Sequence, residues 1–412
     1  MAEESHKFKV QPCRKGLFRL LCGGVCLYFR LCGIRMKRVG GTAPRIEGPA
    51  VVLCNHGSFV DFAYAGTLLK KSYPHFVIAR LYFYHKWLGR LLGWLGGFPK
   101  SMFAMDMEST KNCLRVLRDG GVLAMMPEAR LSTAGRFEDI QDSTWTFLKK
   151  AAVPVYSIVM GGDYLADPKW GKGFRRSAVV ETEFSLLFST EELAELSPEE
   201  IGRRAEERLY YDEFRWLEER PRQRYPSPRL AEGLENILTR CPVCGGRHTL
   251  TTRGREIFCE SCGRLTEVDD RYAFSSDFRF RHHGEWYDWQ KEELAREIAA
   301  DPDFALTSPV ELRLPSADGK SLTRSAGRGC CTLTRAGLTY TGTRDGEAWE
   351  ISIPLRRIYR LLFGAGENFE TYNGTEILYF VPDERRSAVD WYMASMILYD
   401  EVYGRKPVGK TE

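Results

Sequence analysis

The sequence predicts three successive structures: an α/β domain with a largely parallel sheet, a short segment built on four cysteines, and a small antiparallel β domain, barrel-like, with a closing helix. Between residues 50 and 160, short apolar runs alternate with helical patterns, as in βα units. Further along, two C-x-x-C pairs follow a proline-containing linker. From about residue 309, short β-rich runs are separated by turn residues.

The composition is that of an ordinary globular protein. Of 412 residues, 43% are apolar and 28% are charged, which excludes a mainly disordered chain. The net charge of +4 is too small to argue for nucleic acid. Only four of the twelve cysteines are paired in sequence, which indicates a reducing compartment. The apolar run over residues 20–29 is too short to span a membrane.

The N-terminal segment, residues 1–47, is basic and contains an amphipathic pattern. It carries ten Lys or Arg and three Glu. On a helix over residues 15–37, one narrow stripe is basic and the remaining arc is mostly apolar. The basic stripe consists of Lys15, Arg19, Arg30 and Lys37. Such a helix suits an anionic membrane surface, or it packs on its own domain with the stripe in water; the sequence leaves both open.

The α/β domain is predicted from four apolar runs and the helical patterns between them. The predicted buried strands are 50–54, 76–79, 122–126 and 154–160. The predicted helices are 82–95, 109–118 and 144–152. The first of these helices is rich in aromatic residues, which indicates either a core helix or a helix that dips into a membrane. Ligands of such folds gather at the carboxyl ends of the strands.

A histidine and an aspartate follow the first strand at a spacing suited to acid–base chemistry. The segment reads NHGSFVD from Asn55 to Asp61. A histidine can take a hydroxyl proton near neutral pH, and a carboxylate can hold its tautomer. If Ser58 caps the next helix, Asp61 lies in its first turn and can point back to His56. The same spacing is also a capping box, which is the structural alternative.

Three further blocks give this segment a family resemblance. They are GGFPK over residues 96–100, PEARLS over 127–132 and VPV over 153–155. Together with the NHGSFVD segment, their order and spacing across about residues 48–185 resemble the glycerolipid acyltransferase family, which contains 1-acylglycerol-3-phosphate acyltransferases. The PEARLS block departs from the family pattern, since alanine replaces glycine at 129 and the arginine stands one place early.

The resemblance implies a mechanism and a set of site residues. His56 would remove the proton of an acceptor hydroxyl, and Asp61 would orient His56. The hydroxyl oxygen would attack the thioester of an acyl-carrier protein or of acyl-CoA, without an acyl-enzyme intermediate. The acceptor site would be shaped by Lys100, Glu128, Arg130 and Ser132. The structural alternatives are an ion pair of Glu128 with Arg130 and a solvated Lys100.

The four paired cysteines predict a metal site. Cys241 and Cys244 are separated by fourteen residues from Cys259 and Cys262, and a glycine follows each pair. Four thiolates at this spacing predict a closed tetrahedral Zn²⁺ site that is structural rather than catalytic, and the segment resembles a zinc ribbon. Iron is the second candidate metal. Acidic residues offset the nearby arginines, so we expect no nucleic-acid binding.

The predicted domain boundaries follow these patterns. They are 1–47 for the basic segment, 48–235 for the acyltransferase domain with a helical extension, 236–270 for the ribbon, 271–304 for an aromatic linker and helix, and 305–412 for the β domain. The strands of the β domain and the helix over about 384–401 resemble a pleckstrin-homology or GRAM-like barrel. Such modules often bind lipid head groups or proteins.

The resemblance, together with the basic amphipathic segment, implies a peripheral membrane acyltransferase of phospholipid biosynthesis on the cytoplasmic face of the cell membrane. The expected partners are an acyl-carrier protein or acyl-CoA donor, a lysophospholipid acceptor, with 1-acylglycerol-3-phosphate preferred, and an anionic membrane. One alternative is acyl transfer to a different hydroxyl acceptor. Another is a non-catalytic, zinc-dependent adaptor or lipid-binding protein.

Overall fold

The structure is a computed structural model that describes residues 8–40, 45–104, 106–173, 177–316 and 320–404. Part of the predicted N-terminal segment, residues 1–7 and 41–44, therefore lies outside the described residues. The chain divides into two compact units. The N-terminal unit covers residues 1–168, 174–224 and 317–322, and the C-terminal unit covers 169–173, 225–316 and 323–412.

The N-terminal unit is built on a seven-stranded sheet with helices on its connections. Its strands are β1 (Arg35–Val39), β2 (Ala50–Cys54), β3 (His75–Ala79), β4 (Phe98–Lys100), β5 (Val122–Met125), β6 (Val155–Gly161) and β7 (Val179–Phe188). Its helices are α1 (Lys15–Leu31), α2 (Asp61–Leu68), α3 (Leu81–Tyr84), α4 (Lys86–Trp94), α5 (Met107–Arg118), α6 (Ser143–Ala151), α7 (Asp163–Ala166), α8 (Thr190–Glu195), α9 (Pro198–Leu209) and α10 (Glu213–Glu218).

The strand order places three strand ends side by side. The order is β1-β7-β6-β2-β5-β3-β4, in which β2 pairs in parallel with both β6 and β5. β7 pairs antiparallel with β6, so the sheet is mostly parallel, as predicted. Because parallel strands end at the same edge, the segments that follow β5, β2 and β6 meet there.

The core explains why the central strand is apolar throughout. All five residues of β2 are buried. A parallel strand covered by helices on both faces has no solvent side and therefore no alternation. Val51 and Leu53 of β2 join a cluster with Leu123 of β5, Val155 of β6 and Trp145 of α6. This packing fixes the backbone from which the loop after β2 departs.

Two predicted helices of the N-terminal unit differ from the structure. α1 ends at Leu31 rather than at residue 37, because Gly33 takes φ +76, a left-handed conformation that terminates helices. Lys37 therefore lies on β1 and not in the helical stripe. The aromatic pattern over 82–95 is broken at His85, which is extended and accepts a hydrogen bond from the Leu88 N–H on its ring. The four residues of α3 are half-buried, and α4 fully buries only Gly89 and Gly93, so this stretch is not a helix enclosed by the core.

The C-terminal unit contains two antiparallel sheets and two long helices. The first sheet comprises β8 (Leu250–Arg253), β9 (Glu256–Cys259) and β10 (Gly263–Glu267). The helices are α11 (His283–Ala300) and α12 (Ala388–Tyr403). The second sheet comprises β11 (Leu306–Pro315), β12 (Thr323–Thr334), β13 (Gly337–Arg344), β14 (Glu347–Pro354), β15 (Leu362–Gly364), β16 (Asn368–Asn373) and β17 (Glu376–Pro382).

The C-terminal sheet matches the predicted run of short antiparallel strands. Its order is β14-β13-β12-β11-β17-β16-β15, with a final helix as predicted. Trp391 of α12 stacks on Phe369 of β16, with ring centroids 4.2 Å apart, and both side chains are fully buried. The recorded pairings leave β14 and β15 as the two edges of the sheet, so they do not close the predicted barrel. No helix within the described ranges combines the length and the apolar character that crossing a bilayer requires.

Candidate active site and metal site

The candidate active site is assembled where β2, β5 and β6 end. His56 follows β2, Glu128 follows β5 and Asp163 follows β6. The Asn55 side chain joins two of these ends, because its Oδ1 accepts from the Met160 N–H (2.7 Å) and its Nδ2 donates to the Met160 carbonyl (2.9 Å). The first asparagine of the NHGSFVD segment therefore locks the loop that carries His56 to the neighbouring strand.

His56 and Asp61 form a hydrogen-bonded pair. His56 Nδ1 lies 3.1 Å from Asp61 Oδ2, and the Ser58 N–H also donates to that oxygen (2.9 Å). The Asp61 side chain is fully buried, whereas that of His56 is 21% exposed. Since the carboxylate can only accept, Nδ1 carries the proton and Nε2 carries the lone pair. The pair thus presents a basic nitrogen at a partly open site.

The geometry contains only one of the two bonds of a capping box. The Ser58 N–H donates to Asp61 Oδ2 (2.9 Å), but the Asp61 N–H donates to the Ser58 carbonyl (3.3 Å) and not to its hydroxyl. α2 begins at Asp61, its N-cap residue is Val60, and no side chain caps it. The Ser58 hydroxyl instead accepts from the Val60 N–H (3.3 Å) and lies 3.4 Å from Asp167 Oδ2. Asp61 is therefore directed at the loop and at His56 rather than used in a reciprocal cap.

Glu128 supports the His56 backbone. The His56 N–H donates to Glu128 Oε1 (2.8 Å), and the Glu138 N–H donates to Oε2 (2.8 Å). The Tyr211 hydroxyl lies 3.4 Å from the same Oε2. Burial raises the pKa of the Glu128 carboxyl well above its usual range, although these backbone donors oppose the shift. The carbonyl of the same residue is also bound, since the Ser132 N–H donates to the His56 carbonyl (2.9 Å).

The PEARLS block keeps the backbone conformation that glycine would favour at residue 129, but its arginine is bound by neighbouring acids. Ala129 has φ +58, a left-handed conformation that suits glycine and costs an L-residue roughly 1–2 kcal/mol. Arg130 is buried and forms ion pairs with Glu138 (3.2 Å) and Asp139. The structural alternative paired Arg130 with Glu128, whereas these ion pairs join Arg130 to Glu138 and Asp139.

Lys100 lies apart from the contacts that join the other predicted residues. It ends β4, and its carbonyl accepts from the Arg80 N–H (3.0 Å). Its side chain is half-buried, and among the described residues no carboxylate lies within ion-pair distance of it. The structure therefore brings together His56, Asp61, Glu128 and Ser132 through direct contacts, and Arg130 through Glu138, but connects Lys100 to them only through the sheet.

Two buried carboxyls at this site were missed by the sequence analysis. Asp163 and Glu213 are fully buried, and burial raises the pKa of both carboxyls well above the usual range. Glu213, at the start of α10, accepts from the Gly162 N–H (2.7 Å to Oε2). Asp163 stands three residues after the end of the predicted strand 154–160, so the rule that ligands gather at strand ends could have found it. Glu213 gave no comparable signal.

The comparison with known families decides the enzyme class. Residues 36–161 match the family model described as acyltransferase, and this stretch contains β2 to β6 with His56, Asp61 and the PEARLS block. Residues 36–161 are an acyltransferase domain. The chain is similar to the crystal structure of the 1-acyl-sn-glycerophosphate acyltransferase PlsC from Thermotoga maritima, with 18% identity and a TM-score of 0.40. That match covers 48% of this acyltransferase and 78% of PlsC. No curated protein matches the chain.

The C-terminal unit of the acyltransferase gathers the four predicted cysteines. Their sulfur atoms all lie within 4.8 Å of one another, with Cys241 to Cys262 at 3.9 Å and Cys244 to Cys259 at 3.8 Å. A tetrahedral Zn²⁺ with bonds of ~2.3 Å to sulfur separates its ligands by about 3.8 Å. The donor set and its dimensions therefore fit a metal ion. The nearest histidine in sequence, His248, is instead bound to Asp390 (2.7 Å).

Proposed function

We propose that this acyltransferase moves a fatty acyl chain from the thioester of an acyl-carrier protein or acyl-CoA to the hydroxyl of a lysophospholipid, with 1-acylglycerol-3-phosphate as the preferred acceptor. The observation that carries the proposal is the His56–Asp61 pair at the carboxyl edge of the sheet, inside the matched family region. A pathway of phospholipid biosynthesis on the cytoplasmic face of the membrane is the setting we infer.

The proposed reaction uses His56 first as a base and then as an acid. His56 Nε2 takes the hydroxyl proton while Asp61 stabilises the imidazolium. The hydroxyl oxygen attacks the thioester carbonyl carbon, and the tetrahedral intermediate collapses with cleavage of the carbon–sulfur bond. The leaving thiolate takes the proton from His56. The products are an ester and a free thiol, and no bond to the enzyme is formed.

The acceptor site is proposed to lie around the PEARLS block and β4. Glu128 binds the backbone N–H of His56 and Ser132 binds its carbonyl, and the two bonds fix the position of the base. Lys100 supplies a half-buried cation that is suited to a phosphate group. Arg130 is engaged by Glu138 and Asp139, so we assign it to shaping the wall of the site and not to direct phosphate contact.

Product analysis tests the proposed reaction. Purified protein is incubated with lysophosphatidate and long-chain acyl-CoA, then with an acyl-carrier protein thioester, and products are identified by mass spectrometry. We expect phosphatidate and one equivalent of thiol per acyl group transferred. Product formed with other lysophospholipids but not with lysophosphatidate would contradict the preferred acceptor while leaving the acyl-transfer reaction in place. Vesicle binding without any product from a panel of hydroxyl acceptors would favour the adaptor alternative.

We also propose that α1 rests on an anionic membrane. One face of α1 packs on the domain, where Phe29 stacks on Tyr64 of α2 with centroids 4.7 Å apart. The opposite face is open, with Leu20 72%, Leu27 59% and Leu31 78% exposed. Exposed cations flank these leucines: Lys15, Arg19 and Arg30. On this proposal, one face of α1 packs on its own domain and the other face meets the membrane, so each of the two interpretations of the sequence applies to one face.

Replacing the exposed leucines should release the protein from vesicles. Burying a leucine contributes about 1.5–3 kcal/mol, so exchanging Leu20, Leu27 and Leu31 together for glutamate should weaken binding to anionic vesicles at least about a hundredfold. Co-sedimentation with phosphatidylglycerol-containing and with neutral vesicles measures this. Leu186→Glu, at a leucine of β7 that is 54% exposed, is the matched control and should bind as the wild type does. Equal binding of the triple variant would contradict the assignment.

The C-terminal unit is proposed to hold two modules. The four-cysteine cluster is assigned to a zinc ribbon at about residues 236–270, with Zn²⁺ held by Cys241, Cys244, Cys259 and Cys262. The sheet β11–β17 with α12 is assigned to a pleckstrin-homology or GRAM-like module over about 305–412. The strand order, in which two antiparallel meanders join through β11 and β17, supports that assignment.

A further inference from the structure

Beneath His56, three buried carboxyl groups stand in a row. Asp163 lies within hydrogen-bonding reach of Asp61 on one side and of Glu213 on the other. All three side chains are fully buried. Asp163 is also packed tightly against the loop of His56, since a Cβ added to Gly57 would stand 2.4 Å from Asp163 Oδ2. The row runs from the candidate base toward α10.

The hydrogen-bond donors around this row are distributed unevenly. Asp61 Oδ2 receives the Ser58 N–H and faces His56 Nδ1, and the Glu213 oxygens receive the Gly162 N–H. Within the part of the chain that the structure describes, no other residue donates a well-formed hydrogen bond to Asp61 Oδ1 or to either oxygen of Asp163, and the backbone N–H that faces the Asp163 carboxyl is its own. Asp163 therefore contacts two acceptors and lacks a donor from any other residue.

Protons on the carboxyls themselves satisfy this arrangement. Two buried carboxylates in contact repel each other, and burial without a cation strongly disfavours their ionisation. Among the described residues, no Lys, Arg or His forms an ion pair with Asp163 or Glu213. The raised pKa values of Asp61, Asp163 and Glu213 have burial as their first cause. Asp61 has the most external donors, so it is the member that keeps its charge.

We propose that Asp163 is a positioning residue of the acyl-transfer reaction, whose protonated carboxyl donates a hydrogen bond to Asp61 Oδ1 and accepts one from protonated Glu213. The inference rests on the proposed role of His56 as the base. Asp61 is then held from three directions: by Ser58, by His56 and by Asp163. This fixes the plane of the carboxylate that orients His56 and draws charge away from it, which lowers the basicity of the histidine.

The protonated and the ionised states of Asp163 predict opposite effects on His56. If Asp163 is a neutral donor, its removal leaves more negative charge on Asp61, which stabilises the imidazolium and raises the pKa of His56. If Asp163 is an anion, its removal takes away a negative charge and lowers that pKa. The other titratable groups that face the row from packed elements are Cys54 on β2, Tyr64 on α2, Asp167 after α7, and Tyr211 and Asp212 before α10.

Two substitutions separate these states. Asp163→Asn keeps the shape, donates through its amide NH₂ to Asp61 and accepts from Glu213 through its oxygen, so it should behave like the wild type. Asp163→Ala removes the donor. We expect it to raise the His56 titration midpoint by about one pH unit. We also expect it to lower kcat about ten- to hundredfold with little change in KM, because one hydrogen bond to a charged group is lost. Asp119→Ala, at an exposed aspartate after α5, is the control and should change neither quantity.

The readouts are a substrate-free titration and a kinetic profile of the full chain. Imidazole NMR follows the His56 midpoint, with His56→Ala identifying its signal among the seven histidines, and a melting curve checks that each variant is folded. A lowered midpoint in Asp163→Asn, or an unmoved midpoint in Asp163→Ala, would overturn the proposal. If Asp163→Ala does not fold, Asp163→Asn decides alone: an unchanged His56 midpoint supports the neutral state of Asp163, and a lowered midpoint contradicts it. If the wild type acylates no acceptor, the proposed function fails, while the titration still decides the state of Asp163.

Discussion

Replacing His56 by alanine or glutamine should lower kcat for acyl transfer by about 10²–10⁴-fold, the range of general acid–base catalysis. The reason is that the acceptor hydroxyl then loses the group that takes its proton, while the rest of the site remains. Glutamine has similar size and polarity but cannot hold the proton, so it should be as inactive as alanine. Initial rates of product formation, with KM measured alongside, provide the test.

A matched substitution separates the loss of the base from the loss of a histidine. His75 begins β3 at the amino edge of the same sheet, and its Nδ1 lies 2.9 Å from the Gly96 carbonyl. His75→Gln can retain that bond and should keep nearly full activity. Asp61→Asn should resemble His56→Gln, because an amide can favour the wrong tautomer of His56. Activity in His56→Gln within about threefold of the wild type would exclude His56 as the base.

The parts of the site that the sequence predicts are those made by short-range chemistry. His56 and Asp61 are five residues apart, and a strand followed by a helix leaves little freedom in how such a segment can fold. The buried strands are equally local, because a run such as residues 50–54 has no polar face to expose. The cysteine cluster belongs to the same class, since its two pairs each bring two ligands together within four residues.

The parts that the sequence misses depend on contacts between distant segments. Asp163 meets Asp61 only because β6 pairs with β2, and no local pattern marks that pairing. The partners of Arg130 are set by a loop that returns to it eight and nine residues later. β1 is an edge strand of sequence RMKRV, and four of its five side chains are exposed. With so little apolar alternation it could not be recognised as a strand.

Removing the metal should unfold the ribbon and leave the chemistry of the N-terminal unit intact. A closed Cys₄ site has no open coordination position, so the ion contributes folding free energy rather than catalysis. Freshly purified protein should contain one zinc ion per chain by elemental analysis. Chelation, or Cys259→Ser, should abolish the amide-exchange protection of β8–β10, because structural zinc typically supplies on the order of 10 kcal/mol.

The location of the effect distinguishes a structural metal from other roles of the cysteines. Cys330→Ser, at an exposed cysteine of the same unit but outside the cluster, should leave both the zinc content and the exchange protection unchanged. The acyl-transfer rate of the metal-free protein at 25 °C should stay within about twofold of the native rate if no catalytic step uses the ion. A metal content well below one per chain, or iron in place of zinc, would contradict the assignment. Loss of turnover with retained exchange protection of β8–β10 would instead give the ion a direct part in the reaction.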